Sequence, residues 1–131
     1  MINMNENDIS NSVKKGYDLE ERTSKFTKDM TKFVKKVPQN LVNNAILSQV
    51  IRSSGSIRAN YIEANEALSQ KDFIMRIKIC RKESKETAYW LDALDLEKEE
   101  IKDECKILHD EATQLKKIFS AIVLKSKKKN Q

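Results

Sequence analysis

The 131-residue sequence predicts an all-α protein, an antiparallel up-down-up-down four-helix bundle. Three observations carry that prediction. Apolar residues recur every three to four positions along four long segments, which places them on one face of a helix. The chain holds only two Gly and one Pro, too few turn formers for a β-sandwich or barrel, which needs a turn every ~8–12 residues. Charged residues make up 34% of the chain, as expected for long helices with solvated outer faces.

Residues 1–16 are rich in Asn and Ser without a clear period and read as a flexible N-terminus. The bundle is assigned to residues 17–124. Its first helix starts at Asp18, read as the cap, and buries Leu19, Phe26, Met30, Phe33 and Val37. Pro38 stops it, and Pro38-Gln39-Asn40 forms the turn. The second helix runs from about Val42 to Leu68 with Ile46, Val50, Ser54, Ile57, Tyr61, Ala64 and Leu68 on one face. Ser53-Ser54-Gly55-Ser56 forms helix poorly. Its small residues predict close approach of a neighbouring helix near Ser54 and Gly55; the alternative is a break in the helix.

Ser69-Gln70-Lys71-Asp72 resembles a capping box that opens a third helix, Gln70 to Asp95. Its inner stripe is Phe73, Ile77, Cys80, Ser84, Thr87, Leu91 and Leu94. Met75, Ile79 and Trp90 lie beside that stripe and are not needed to close one bundle, so they predict a second contact surface, an oligomer interface. The fourth helix, Glu99 to Lys125, carries the seam Ile101, Cys105, Leu108, Ala112, Leu115, Phe119 and Ile122. The break before it falls near Leu96-Glu97-Lys98; one bent continuous helix is the alternative. Residues 125–131 read as a Lys-rich C-terminal tail, a mobile cationic arm.

Several function classes find no support. No run reaches the ~18 apolar residues of a membrane span, and the N-terminus lacks the pattern of a signal peptide. A cytoplasmic protein with two reduced thiols, Cys80 and Cys105, is expected, both on inner stripes and read as core. There is no glycine-rich phosphate loop, HExxH or nucleophile elbow. His109 is the single histidine, at the border of the fourth seam, and reads as a bystander. Glu63, Glu66, Glu100 and the acids around it lack the Glu-x-x-His pairs of a di-iron bundle. No catalytic residue, metal or cofactor is expected, and the chain is read as not an enzyme.

The net charge of +5 is unevenly placed. Five lysines oppose Asp29 within 25–36, and seven acids oppose three lysines within 97–111. On the third helix Lys71, Lys78, Lys82 and Lys85 fall together opposite the core stripe, with Arg81 at their edge. A row of cations at helical-turn spacing can track phosphates. Arg52 and Arg58, and the tail lysines Lys125, Lys127, Lys128 and Lys129, are candidates to add to it. No base-reading motif and no aromatic stacking platform accompany the row, so RNA or DNA binding would be dominated by the backbone. A solvated lysine face is the alternative reading.

The run Arg52-Ser53-Ser54-x-Ser56-Ile57-x-Ala59-Asn60-Tyr61-x-Glu63-Ala64 is followed by Ser69-x-Lys71-Asp72-Phe73, Ile77-Lys78-Ile79-Cys80-x-Lys82-Glu83 and Lys85-Glu86-Thr87-x-Tyr89-Trp90-Leu91. Tyr17-Asp18-Leu19 and Phe33-x-Lys35-x-Val37-Pro38 precede it. In these elements the chain, from Tyr17 to Ile122, resembles the bacterial four-helix-bundle family named for members encoded in intervening sequences of large-subunit ribosomal RNA genes. The family name reflects gene location, not membership of the ribosome. The resemblance implies an antiparallel protomer that assembles as a ring-shaped homopentamer without a catalytic site. Relatives include the accessory protein of diversity-generating retroelements, a basic barrel that binds nucleic acid and a reverse transcriptase. This chain's basicity is muted by comparison. The function expected is a non-enzymatic oligomeric scaffold that binds nucleic acid, with a protein partner such as a reverse transcriptase. The alternative is a structural or protein-interaction module without nucleic-acid binding.

Overall fold

The computed structural model describes residues 16–129, and side chains from Leu19 to Lys128. The N-terminal segment expected to be flexible lies outside the described residues, apart from Gly16. Among the described residues there are four helices and no strand: α1 (Gly16–Val34), α2 (Leu41–Asn65), α3 (Gln70–Asp92) and α4 (Glu99–Lys129).

The helix α1 already includes Gly16, so Asp18 is a helical residue and not the expected cap. Its buried side is Leu19, Thr23, Phe26, Met30 and Phe33. It ends at Val34, three residues before Val37. The Lys36 N–H donates to the Phe33 carbonyl at 2.9 Å, a tighter turn, and Pro38 disfavours helical backbone at Val37. Asn40 caps α2: its side chain accepts from the Asn43 N–H at 2.8 Å.

Ser53-Ser54-Gly55-Ser56 is unbroken helix within α2. The close approach is real, but Ser53 makes it and Gly55 does not. Ser53 and Ser54 are buried, and Thr87 Oγ1 lies 2.8 Å from both Ser53 Oγ and the Glu83 carbonyl. A Cβ built on Gly55 would meet nothing within 4 Å. Leu68, expected on the inner face of this helix, is fully exposed. The chain leaves the helix at Glu66, whose N–H donates to the Glu63 carbonyl at 3.2 Å, so the period stops before Leu68.

Ser69 caps α3 as expected, accepting from the Asp72 N–H at 3.0 Å. This helix ends at Asp92, three residues early, and residues 93–98 form a true connection, which rules out one bent helix. The helix α4 continues to Lys129, so the Lys-rich end is helical and not a separate arm. Ile122, Val123 and Ser126 are buried and extend the inner seam into that end. Lysines in a last turn also favour helix, since they oppose the negative pole of its dipole.

Each helix touches two neighbours. The pairs are α1 with α2, α2 with α3, α3 with α4, and α4 with α1; among the described residues the diagonal pairs do not meet. Contacts along α2 meet progressively earlier residues of α3: Ser53 with Thr87, Ile57 with Cys80, Asn60 with Arg76. The core inside is filled by Phe26, Phe33, Phe119, Leu19, Met30, Ile57, Ile77, Leu91, Leu115 and Ile118.

One buried polar residue ties the two inter-helix connections at one end of the fold. Asn43 is fully buried. Its Nδ2 donates to the carbonyls of Pro38 and Asp95, both at 3.0 Å, and its Oδ1 accepts from the Asp95 N–H at 2.9 Å. Replacing Asn43 with Ala leaves three backbone groups without that partner, and about 1–3 kcal/mol of stability is lost in urea unfolding. An unchanged midpoint would show that the amide is not a structural link. Gly55→Ala works in the opposite direction. The open space and helical backbone at that position predict a gain of about 1 kcal/mol in the same assay, and a loss would mean that a neighbour is closer than described.

Candidate nucleic-acid interface

With Ile77, Cys80, Ser84, Thr87 and Leu91 buried, the opposite side of α3 must face outward. That side presents Lys71, Lys78, Lys82 and Lys85, all exposed, with Arg81 half-buried at the edge. They rise over about 21 Å of helix. None of the four lysines makes an ion pair among the described residues, and their charge is available to a ligand. A shallow depression on this face is lined by Ile74, Met75 and Ile79 together with Lys71, Lys78 and Lys82.

The structure does not bring every expected cation to this row. Arg52 is held by two carboxylates of α3. Its Nη1 lies 3.0 Å from Glu83 Oε2 and its Nη2 2.8 Å from Glu86 Oε2. Glu83 is buried at 4% exposure, and a buried carboxylate needs such a partner. Arg52 is therefore half of a structural pair. Arg58 reaches the other way: its Nη1 donates to the Glu20 carbonyl at 3.0 Å and to Thr23 Oγ1 at 3.4 Å, clamping α2 to α1. Lys125, Lys127 and Lys128 are exposed on the last turns of α4. The side chain of Lys129 lies outside the described residues.

The interface strip divides. Met75 is 47% exposed, whereas Ile79 and Trp90 are half-buried and Trp90 packs on the core cluster. Sequence reasoning passed over Tyr89, which is 63% exposed and sits four residues after Lys85 on the same face. That spacing was the available signal.

The acidic stretch of α4 has a structural use that its composition did not reveal. Glu111 receives Arg22 of α1 in a bidentate pair, both contacts at 2.7 Å, and Glu104 receives Lys36 at 2.8 Å. His109 Nε2 lies 3.2 Å from Asp92 Oδ2, joining α4 to the end of α3. Burial pushes the Cys80 thiol up to about 12 and the Cys105 thiol up to about 11, so both are protonated at neutral pH. Among the described residues no group of three or more His, Cys, Asp or Glu could hold a metal ion. Among the described residues no helix is long and apolar enough to cross a membrane.

The four helices have a counterpart among solved structures. The chain is similar to a solved protein of unknown function from the S23 ribosomal protein family of Bacteroides thetaiotaomicron VPI-5482. The two are 28% identical over 82% of this chain and 96% of that one, with a TM-score of 0.68. No curated protein matches the chain. The description "23S rRNA-intervening sequence protein" matches residues 15–121. The matched region spans all of α1, α2 and α3 and most of α4, and the chain belongs to the 23S rRNA-intervening sequence protein family.

Proposed function

We propose that the protein is a non-enzymatic, oligomeric helical scaffold that binds RNA or DNA electrostatically. The observation that carries this reading is the row Lys71, Lys78, Lys82 and Lys85, exposed and in no ion pair among the described residues. Four cations on one helix are anchored at a fixed spacing, and phosphates that bind them release their own condensed counterions. The protomer is read as an up-down-up-down bundle, which carries Lys127 and Lys128 toward the end at which α3 begins and adds charge there. Protomers join as a homopentameric ring through the edge of α3 that carries Met75, Ile79 and Trp90. Lys71, Lys78 and Lys82 line the same depression as Met75 and Ile79, so the lysine row borders that interface. A reverse transcriptase is the protein partner that the family resemblance suggests, and the cytoplasm is the compartment.

A second reading keeps the scaffold without the nucleic acid. The apolar lining of the depression beside the lysines favours it, because Ile74, Met75 and Ile79 offer a surface that phosphates do not use.

Titration of fluorescent RNA and DNA across salt separates the two. On the nucleic-acid reading, log K falls linearly with log salt, with a slope of about −3 for four phosphate contacts. Lys78→Glu with Lys82→Glu flattens the slope and weakens binding at least tenfold. No binding at low salt would leave only the protein-interaction module. Light scattering tests the ring: the wild type is expected as a pentamer, and Ile79→Glu shifts it to smaller species. A wild-type protein that stays monomeric would contradict the interface.

A further inference from the structure

The outward face of α3 carries one feature that a phosphate-binding row does not require. Tyr89 stands on the same helical face as Lys71, Lys78, Lys82 and Lys85, and its ring is mostly in solvent. It is also braced. Its ring meets that of Trp90 edge-on, with centroids 4.9 Å apart and planes inclined at 76°, and Trp90 is anchored against the core. Tyr89 takes no part in the core cluster itself. An aromatic ring held in place, open to solvent and continuing a row of cations has the two properties of a site for unpaired bases.

Resting on the reading that this row binds nucleic acid, we infer that its ligand is single-stranded. The phosphates run along Lys71, Lys78, Lys82 and Lys85, and a base stacks on Tyr89. Duplexes can offer phosphates to the lysines, but their interior bases are already stacked on both faces and offer nothing to the ring along the row. An unpaired strand supplies both. From Lys85 to Tyr89 the helix rises about 6 Å, within reach of one nucleotide whose phosphate sits on Lys85. From Lys71 to Tyr89 it rises about 27 Å, room for a short strand of several nucleotides.

The test uses the full chain and fluorescence anisotropy at one low salt concentration. The probes are short mixed-sequence RNA and DNA strands, their blunt duplexes, and poly-glutamate matched in charge. Tyr89→Ser weakens both single strands roughly 10- to 100-fold and leaves the duplexes unchanged, while Tyr89→Phe keeps wild-type affinity. Thermal unfolding checks that the variants fold, as an exposed position predicts. Equal effects of Tyr89→Ser on strands and duplexes, or no effect on either, would overturn the single-strand inference. Tight poly-glutamate binding that Tyr89→Ser also weakens would overturn it in favour of an acidic protein partner. Lys78→Ala with Lys82→Ala keeps the two levels distinct. If that pair lowers affinity and Tyr89→Ser does not, only the stacking inference fails. If neither change matters, the nucleic-acid reading fails as well.

Discussion

The close seating of α3 against α2 is the constraint on which the remaining structure depends. It is achieved with small hydroxyl side chains. Ser53 meets Thr87 across the seam, and Ser54 and Ser84 are buried as well. Their hydroxyls are satisfied within the seam: Ser84 donates to the Cys80 carbonyl at 2.8 Å, and Thr87 sits between Ser53 Oγ and the Glu83 carbonyl. Larger apolar residues here would push the helices apart, whereas unsatisfied hydroxyls would cost about 1–3 kcal/mol each. Because this side of α3 is committed to α2 and its neighbouring side to α4, only one face remains for its lysines. The cationic row is thus a consequence of how the core closes.

Charge is partitioned on the same logic. Three cations that face a neighbouring helix are matched by carboxylates: Arg22 by Glu111, Lys36 by Glu104, Arg52 by Glu83 and Glu86. The Lys71–Lys85 row faces no helix and has no such match. Half-exposed pairs such as Lys36–Glu104 contribute little stability, about 0–1 kcal/mol. Their larger effect is on the field. They cancel charge where those helices meet, while the outward face of α3 keeps the positive charges of Lys71, Lys78, Lys82 and Lys85, a strip that attracts polyanions.

Much of the fold was legible because burial follows a simple period. Phe26, Met30, Phe33, Ile57, Tyr61, Ile77, Leu108, Leu115 and Phe119 all lie where three- and four-residue spacing placed them. The cap at Ser69 was legible because it depends on four consecutive residues. What could not be read depends on register between helices. Nothing local to Arg52 says that Glu83 lies opposite, and nothing local to Asn43 says that Asp95 lies within reach. Gly55 looked like a contact point because Ser53 and Ser54 are its neighbours, yet one position along a helix turns a residue by about 100°. The lysine row was readable since it lies on a single helix; Tyr89 was readable on the same ground, and the reading that no aromatic platform accompanies the row passed over it.

Lysine acetylation footprinting with mass spectrometry tests the central claim most directly. The assembled protein is labelled with and without a saturating short nucleic-acid strand. The account predicts that Lys71, Lys78, Lys82 and Lys85 react readily in the protein alone and are protected together by the strand. Lys25, Lys28 and Lys32 of α1 react equally in both states. Protection centred on α1, or spread evenly over all lysines, would contradict it.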